Sequence, residues 1–277
     1  MPMNEVFTPG RLKEYEDWLL QRRLSWNTIS TYMRTLQAVY NRLSPPGTPE
    51  HNPRLFDDVY TKVKSQIKRA LTEEQMGRLM HADLDVLSEE LQRVQAYFLL
   101  MFLFRGMPFI DLAHLRKRDV KDGKIAYRRH KTGKQITLRI PREALPLLKE
   151  FKDKDETSLY LFPILNAAPE GDEALYECYQ KALRNFNKML RVLAKRLLSG
   201  IKISSYTARH TWATLAYHIG MPIGIICQAL GHSSIRVTET YLKPFENEKV
   251  DKANRKLIST VKKQEGRSGG CFICYKT

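Results

Sequence analysis

Apolar residues recur at spacings of three and four along most of the chain, and this period constrains the fold more than any other feature of the sequence. It predicts amphipathic helices, because side chains three or four positions apart share one face of an α-helix. The period changes to alternation in one region, residues 124–128 and 135–140, with the segment 130–133 between the two runs. Alternation on both sides of a glycine-containing turn predicts a β-hairpin. We therefore expect a mainly α-helical α+β fold with a small antiparallel β-sheet.

Prolines and basic residues divide the helical pattern near its start. A first helix is predicted over 10–24 and a second from Asn27, which is a suitable capping residue. A proline-rich stretch and the basic run 62–69 follow, and Thr72 with Gln75 then forms a capping-box pair that begins a new helix. The predicted organisation is a small helical domain over 1–68 that ends in a basic linker, a larger domain over 69–264, and a flexible tail over 265–277.

The larger domain is predicted to consist mostly of helices. Their apolar patterns fall, in chain order, over 91–104, 110–115, 173–198, 205–219, 222–230, 234–243 and 246–263.

The chain carries a large excess of positive charge. Its 277 residues include 46 lysines and arginines against 30 acidic residues, a formal net charge of +16. Such an excess is usually retained because it meets a polyanion, so nucleic acid is the first expected partner and an anionic membrane surface the second. The sequence contains no apolar run of about 18 residues and no secretory signal, so we expect a cytoplasmic bacterial protein without a membrane span.

Metal and cofactor chemistry is not indicated by the sequence. The four cysteines suggest neither a disulfide framework nor a complete zinc site, and Cys271 with Cys274 is interpreted as a pair of reduced thiols in the tail. The Asp and Glu residues form no compact acidic set of the kind that a two-metal nuclease needs. We therefore expect no metal, no nucleotide and no small-molecule cofactor.

Three side chains suited to cleaving a phosphodiester lie close together in the C-terminal part of the chain: Arg209, His232 and Tyr241. Cleavage by a tyrosine needs a phenol as nucleophile, donors aimed at the non-bridging phosphate oxygens, and an acid for the departing 5′-oxygen. Tyr241 is the candidate nucleophile. The planar guanidinium of Arg209 matches two phosphate oxygens, and His232 is able to donate to phosphate or to exchange a proton with the phenol.

The runs that contain these residues are Ala-Arg-His-Thr-Trp-Ala-Thr at 208–214 and Leu-Gly-His-Ser-Ser at 230–234, followed by Tyr241. They resemble the motifs of the tyrosine recombinases, also called phage-type integrases. The resemblance covers nearly the whole chain and is strongest over 97–119, 128–139 and 203–243. It implies a site-specific DNA recombinase in which the small domain is a SAM-like core-binding domain and the larger one is the catalytic domain. It also implies a 3′-phosphotyrosyl intermediate, a specific site in double-stranded DNA, and a homotetramer on two such sites.

The resemblance assigns further roles to basic residues. Lys131, at the tip of the predicted hairpin, matches the family's general acid toward the 5′-oxygen, and Lys134 is a competing candidate in the same turn. His210 is expected to be a packing residue, while the basic residues 116–118 and 128–129 add charge near the active-site segments. The residues expected to contact DNA are Lys62, Lys64, Lys68, Arg69 and Lys134.

Two positions depart from the family pattern. The family's first arginine stands three residues before an acidic residue, which here is Asp111, but Pro108 occupies the arginine position. Arg105 is the expected substitute, since positions three apart share a face of a helix, and a subgroup with an Arg-Gly-Met-x-Phe-x-Asp segment resembles this chain. Tyr206 stands where the family has a histidine, three residues before Arg209. It is expected to act as an accessory residue that donates a hydrogen bond to phosphate.

Two alternatives to a recombinase stay open at this level. A type IB topoisomerase-like enzyme uses the same chemistry as a monomer, and a DNA-binding protein with a degenerate active site is compatible with Pro108 and Tyr206. The outcome of recombination, whether integration, inversion or excision, is open as well. The apolar tail segment 271–275 is expected either to dock on a neighbouring protomer or to be disordered.

Overall fold

A computed structural model gives the structure of the chain and describes residues 3–62, 70–82, 86–165, 171–245 and 247–265. The chain divides into two compact units, Met1–Ile67 and Lys68–Thr277. The helices are α1 Met3–Val6, α2 Pro9–Gln21, α3 Trp26–Leu43, α4 Glu73–Met80, α5 Glu89–Leu103, α6 Phe109–Ala113, α7 Leu145–Phe151, α8 Asp172–Leu197, α9 Ser205–His218, α10 Ile223–Leu230, α11 Ile235–Glu239 and α12 Asn247–Glu265. The strands are β1 Val120–Lys121, β2 Lys124–Arg128 and β3 Gln135–Arg139, and two short 3-10 helices lie at Lys117–Asp119 and Arg142–Ala144. None of the helices in these described ranges has the length and apolar character needed to cross a membrane.

The first unit is built by α1 to α3 around a small apolar core. Both α2 and α3 begin at side-chain caps, where Thr8 accepts from the backbone N–H of Arg11 and Ser25 accepts from that of Thr28. The choice of Asn27 as the cap of α3 is wrong, because Ser25 has the extended backbone that suits an N-cap and already fills the position. The core residues are Leu12, Leu19, Ile29, Met33, Tyr40, Leu55, Phe56 and Val59.

The second unit packs its helices around α5. Most residues of α5 are buried, and Phe98, Leu100 and Met101 have no exposed surface. Both α8 and α9 pack against this helix. The predicted capping box is present at the start of α4, where Thr72 and Gln75 exchange hydrogen bonds between side chain and backbone of 3.2 and 3.0 Å. The apolar helix and the capping box read from the sequence are therefore confirmed.

The predicted hairpin is present as β2 and β3 of an antiparallel sheet with strand order β1-β2-β3. Tyr127 pairs with Ile136, and both side chains face the core of the second unit. Gly133 has a φ of 66° in the connecting turn, a backbone conformation that favours glycine. The hairpin therefore presents one apolar face inward and its basic turn outward.

The C-terminal helices set the position of Tyr241. Helix α10 is closed by Gly231, which adopts a left-handed conformation with φ 66° and lets the chain turn into α11. The prediction of a helix over 234–243 is wrong at its end, because α11 stops at Glu239. Tyr241 lies in the turn that follows, where its N–H donates to the carbonyl of Thr238 (2.9 Å). The carbonyl oxygen of Tyr241 bonds to side chains of α9.

Candidate active site

The side chain of Tyr241 lies at the centre of a cluster of aromatic and basic side chains. Only 9% of Tyr241 is exposed, and its ring centroid is 4.8 Å from the rings of both His232 and His210. Its carbonyl oxygen accepts hydrogen bonds from Nδ1 of His210 (3.2 Å) and Oγ1 of Thr214 (3.4 Å), both on α9. These bonds hold the segment after α11 against α9, so His210 positions Tyr241 in addition to packing.

Arg209, on α9, is buried beside the Tyr241 ring. It is 2% exposed, and its guanidinium carbon lies 5.5 Å from the ring centroid. Its Nη1 donates to the carbonyl of Gly106 (2.8 Å) and its Nη2 to that of Leu230 (2.5 Å). Position 106 requires a glycine, because its φ is 69° and a Cβ there would lie 3.1 Å from the Cα of Arg209. The close approach of this loop to α9 therefore fixes the arginine.

His232 is neutral in this arrangement. Its Nε2 lies 2.9 Å from Nη2 of Arg209, and its Nδ1 lies 2.9 Å from Oγ1 of Thr238. Because arginine only donates, Nε2 is the acceptor, so the ring proton sits on Nδ1 and is donated to Thr238. Burial, and then the charge of Arg209, lower the pKa of His232 to about 3. The neutral imidazole therefore accepts a hydrogen bond at Nε2 and donates one at Nδ1.

Tyr206, one turn before Arg209 on α9, contacts the candidate nucleophile directly. The hydroxyl oxygens of Tyr206 and Tyr241 are 2.7 Å apart. Burial, and then this hydrogen bond, raise the pKa of Tyr206 to about 12, so Tyr206 keeps its proton at neutral pH. From the sequence we expected the Tyr206 hydroxyl to donate a hydrogen bond to phosphate, whereas in the structure it is hydrogen-bonded to the hydroxyl of Tyr241.

Arg105 does not share a helix with position 108. Helix α5 ends at Leu103, Arg105 has a left-handed backbone with φ 59°, and Pro108 is the N-cap of α6. The argument that placed Arg105 and position 108 on one helical face is therefore wrong, because no helical turn connects them. A non-glycine residue in the left-handed region is strained, and such strain clusters at functional sites. The segment reaches the cluster through the carbonyl of Gly106.

Arg129, expected to add charge near the active-site segments, is a buried member of the cluster and is 4% exposed. Its Nη1 donates to the carbonyls of Leu230 and Gly231, the latter at 3.3 Å. Its Nε lies 3.9 Å from Oδ2 of Asp111, whose Oδ1 accepts from the backbone N–H of His130 (2.9 Å). Burial raises the pKa of Asp111, against the opposing effects of the His130 N–H and the charge of Arg129. The burial of Arg129 could have been predicted from the sequence, because the alternation along β2 places residue 129 on the inward-facing side of the strand.

The predicted DNA-contacting residues divide into a described and an undescribed group. Lys131 and Lys134 are exposed in the hairpin turn, and both contribute, after burial and the two arginines, to the lowered pKa of His232. The turn therefore lies within electrostatic range of the cluster. Lys62 is exposed near the end of the first unit. Outside the described residues lie Lys64, Lys68, Arg69, Cys271 and Cys274.

The chain is similar in sequence to known recombinases. Residues 69–248, more than half of the chain, match the family model described as the phage integrase family. A tyrosine recombinase of Thermosipho africanus is 23% identical over 226 residues, which cover 81% of this chain and 74% of that protein. The tyrosine recombinase XerA of Pyrococcus furiosus is 27% identical over 246 residues, which cover 86% of this chain and 79% of that protein.

Solved structures share the fold. The Tn1549 transposon integrase in complex with transposon right end DNA has a TM-score of 0.67 and 15% identity, over 93% of this chain and 87% of that one. The lambda integrase tetramer bound to a Holliday junction has a TM-score of 0.60 and 15% identity, over 88% and 67%. The chain belongs to the phage integrase family. Within this family it is a tyrosine-type site-specific DNA recombinase.

Proposed function

We propose that Tyr241 attacks the scissile phosphate, forms a 3′-phosphotyrosyl bond and releases a 5′-hydroxyl, which then attacks the corresponding bond of a partner duplex. The observation that carries this proposal is that Arg209, His232, His210 and Tyr206 surround the ring of Tyr241, which is itself 9% exposed. A phenol, a planar cation and a neutral imidazole within contact distance are the groups that phosphoryl transfer to a tyrosine needs.

Arg209 binds the non-bridging phosphate oxygens in this proposal. In the structure its donors are bonded to the carbonyls of Gly106 and Leu230 and to His232. A phosphate is a charged acceptor with two oxygens at the spacing of the guanidinium fork, so it competes well with neutral carbonyls. When Arg209 turns to the phosphate, Nε2 of His232 loses its donor and becomes free to accept a proton.

The protons move in a defined order. As the Tyr241 oxygen bonds to phosphorus, its proton passes to Nε2 of His232, and Tyr206 donates a hydrogen bond that stabilises the charge on the phenol oxygen. As the bond from phosphorus to the 5′-oxygen breaks, Lys131 donates a proton to that oxygen. Arg105 is proposed as a further phosphate contact. The residues proposed to contact the DNA backbone are Lys62, Lys64, Lys68, Arg69 and Lys134.

The assembly we propose is a homotetramer on two double-stranded DNA sites, acting in the bacterial cytoplasm. A solved lambda integrase is a tetramer on a Holliday junction, which supports this assembly by analogy of fold. Within the family, we propose that the chain belongs to a subgroup with Arg-Gly-Met-x-Phe-x-Asp, which the segment from Arg105 to Asp111 supports. Integration, inversion and excision share this chemistry and differ in the arrangement of the two sites.

A suicide substrate tests the nucleophile. The DNA site is isolated by binding selection from a random duplex library and is then synthesised with a nick next to the scissile phosphate, so that the short 5′-hydroxyl strand diffuses away. We expect wild type to form a covalent adduct that survives denaturing electrophoresis, and Tyr241→Phe to form none. No adduct with wild type would contradict an enzymatic role, and an adduct with Tyr241→Phe would contradict the choice of nucleophile.

The same DNA separates a recombinase from a monomeric topoisomerase. A plasmid with two selected sites yields recombinant circles or inverted segments if the enzyme exchanges strands. The topoisomerase hypothesis would be favoured if the enzyme relaxes a plasmid that carries no site and gives no recombinant products from the two-site plasmid.

A further inference from the structure

Two arginine side chains converge on one point of the cluster. Nη2 of Arg209 and Nη1 of Arg129 both donate to the carbonyl oxygen of Leu230, and Arg129 also donates to the carbonyl of Gly231, directly before His232. Arg209 comes from α9 and Arg129 from the end of β2. We propose that Arg129 is the second phosphate-binding arginine of this enzyme and supplies the guanidinium that is missing at Pro108. This inference rests on the function proposed above.

The charge balance of the cluster favours an anionic ligand. Arg129 and Arg209 are 4% and 2% exposed, and the carboxylate that faces Arg129, Asp111, lies at 3.9 Å, beyond hydrogen-bond distance. Burial, followed by the charge of Arg129, lowers the pKa of Arg209, which shows that the two cations repel each other. Two buried cations side by side are costly unless an anion joins them. A phosphate with two charged oxygens is such an anion.

The hydrogen-bond capacity of the two guanidinium groups points the same way. Within the described part of the chain, the Nε atoms of Arg129 and Arg209 are buried without a hydrogen-bond partner. Buried donors in native proteins are nearly always satisfied, so two unsatisfied donors on adjacent cations need an explanation. Repositioning of both groups around a phosphate would supply new acceptors.

The hydrogen-bond partners of Arg129 are ones that a phosphate displaces readily. Leu230 and Gly231 end α10, and their carbonyls carry the partial negative charge of a helix C-terminus. This charge holds a cation in place but is weaker than that of a phosphate oxygen. The carbonyl of Leu230 therefore holds Arg129 close to Arg209, because both guanidinium groups donate to it.

Asp111 links the end of β2 to the turn of the hairpin. The family pattern sets this acidic residue three positions after an arginine, and here it faces Arg129 and accepts from the backbone of His130. The carboxylate therefore positions the strand end that carries Arg129 and the hairpin turn with Lys131. Arg105, the competing substitute, lies in a strained loop outside α5.

A neutral phosphate analogue distinguishes a phosphate-binding role from a structural one. The suicide substrate is made with a methylphosphonate at the scissile position, which removes the negative charge of one non-bridging oxygen. Single-turnover cleavage is measured on both substrates with wild type, Arg129→Ala, Arg209→Ala, Arg105→Ala and Arg139→Ala. The ratio of the two rates within one protein is insensitive to any unfolded fraction, because unfolding lowers both rates equally.

If Arg129 binds the phosphate, Arg129→Ala is slower than wild type by roughly 100-fold on the phosphate, as for loss of other charge-stabilising donors. The gap is the ratio of the wild-type rate to the variant rate, and on the methylphosphonate it narrows to about tenfold or less, because less charge remains to be stabilised. Arg209→Ala shows the same closure. Arg105→Ala keeps the same gap on both substrates, because in this inference Arg105 contacts a phosphate other than the scissile one. Arg139→Ala, a substitution of an exposed arginine of the same hairpin, cleaves both like wild type.

An equal gap for Arg129→Ala on both substrates would overturn the inference, as would closure of the gap for Arg105→Ala alone. Closure for Arg209→Ala without closure for Arg129→Ala would leave the proposed function intact and reject only this inference. No adduct with wild type on either substrate would reject the function itself. If Arg129→Ala fails to fold, Arg129→Lys keeps a buried cation without the planar fork, and the same comparison decides.

Discussion

The neutral state of His232 predicts a loss of folding stability as the pH falls. In the native structure Arg209 donates to Nε2 of His232 at 2.9 Å, and protonation would set two donors face to face. Burial and the charge of Arg209 therefore lower the pKa from 6.5 to about 3. Between these values the unfolded chain binds a proton that the native chain does not. The stability contributed by the neutral imidazole is complete above pH 6.5 and is lost progressively as the pH falls toward 3.

The magnitude follows from the two pKa values. At about pH 5 the unfolded histidine is almost fully protonated and the native one is not, so His232 alone lowers the free energy of unfolding by about 2 kcal/mol relative to pH 8. We expect urea unfolding of the DNA-free chain at these two pH values to show this loss in wild type. In His232→Gln, which has no titrating ring, the difference between the two pH values is smaller by about 2 kcal/mol.

Comparing the two pH values within each protein removes any stability change that the substitution itself causes. Other titrating groups contribute equally to both proteins and cancel in the difference. The same pH dependence in wild type and His232→Gln would refute the reasoning, because it would mean that native His232 accepts a proton as easily as the unfolded residue does.

Three other substitutions probe the surroundings of the nucleophile. Tyr206→Phe removes the 2.7 Å hydrogen bond to the phenol oxygen of Tyr241, which becomes charged, so single-turnover cleavage is expected to slow by roughly tenfold or more. Tyr206→His is expected to recover the rate. An unchanged rate in Tyr206→Phe would mean that this hydrogen bond has no role in cleavage. Lys131→Ala is expected to cleave normal DNA slowly and to regain its cleavage rate on DNA with a sulfur in the 5′-bridging position, because a thiolate leaves without a proton. If Lys134→Ala instead shows this pattern, Lys134 is the general acid. Gly106→Ala places a Cβ 3.1 Å from the Cα of Arg209 at a residue with a φ of 69°, so urea unfolding should show a free energy of unfolding lower by about 1–3 kcal/mol. An unchanged free energy of unfolding would mean that α9 moves away without cost.

Structural features with a local signal could be predicted from the amino-acid sequence alone. The helical period located the main helices, and the alternation around Gly133 located the hairpin, because both patterns arise from the geometry of neighbouring residues. The chemical types at Arg209, His232 and Tyr241 indicated phosphoryl transfer to a tyrosine before any contact was known. Local reasoning was less accurate at element ends, where it extended the last short helix through Tyr241.

The set of side chains that meet in the cluster depends on how distant parts of the chain pack together. Arg129 bonds to a carbonyl 101 residues away in the chain, and Arg209 to one 103 residues away. The alternation of β2 shows that Arg129 faces inward, but it cannot show that the end of α10 and Arg209 lie opposite. The same holds for Tyr206, whose partner, Tyr241, follows two helices later. The periodicity of apolar residues shows which face of a helix or strand is buried. The packing of distant helices and strands determines what that face contacts, and the surroundings of Tyr241 depend on this packing.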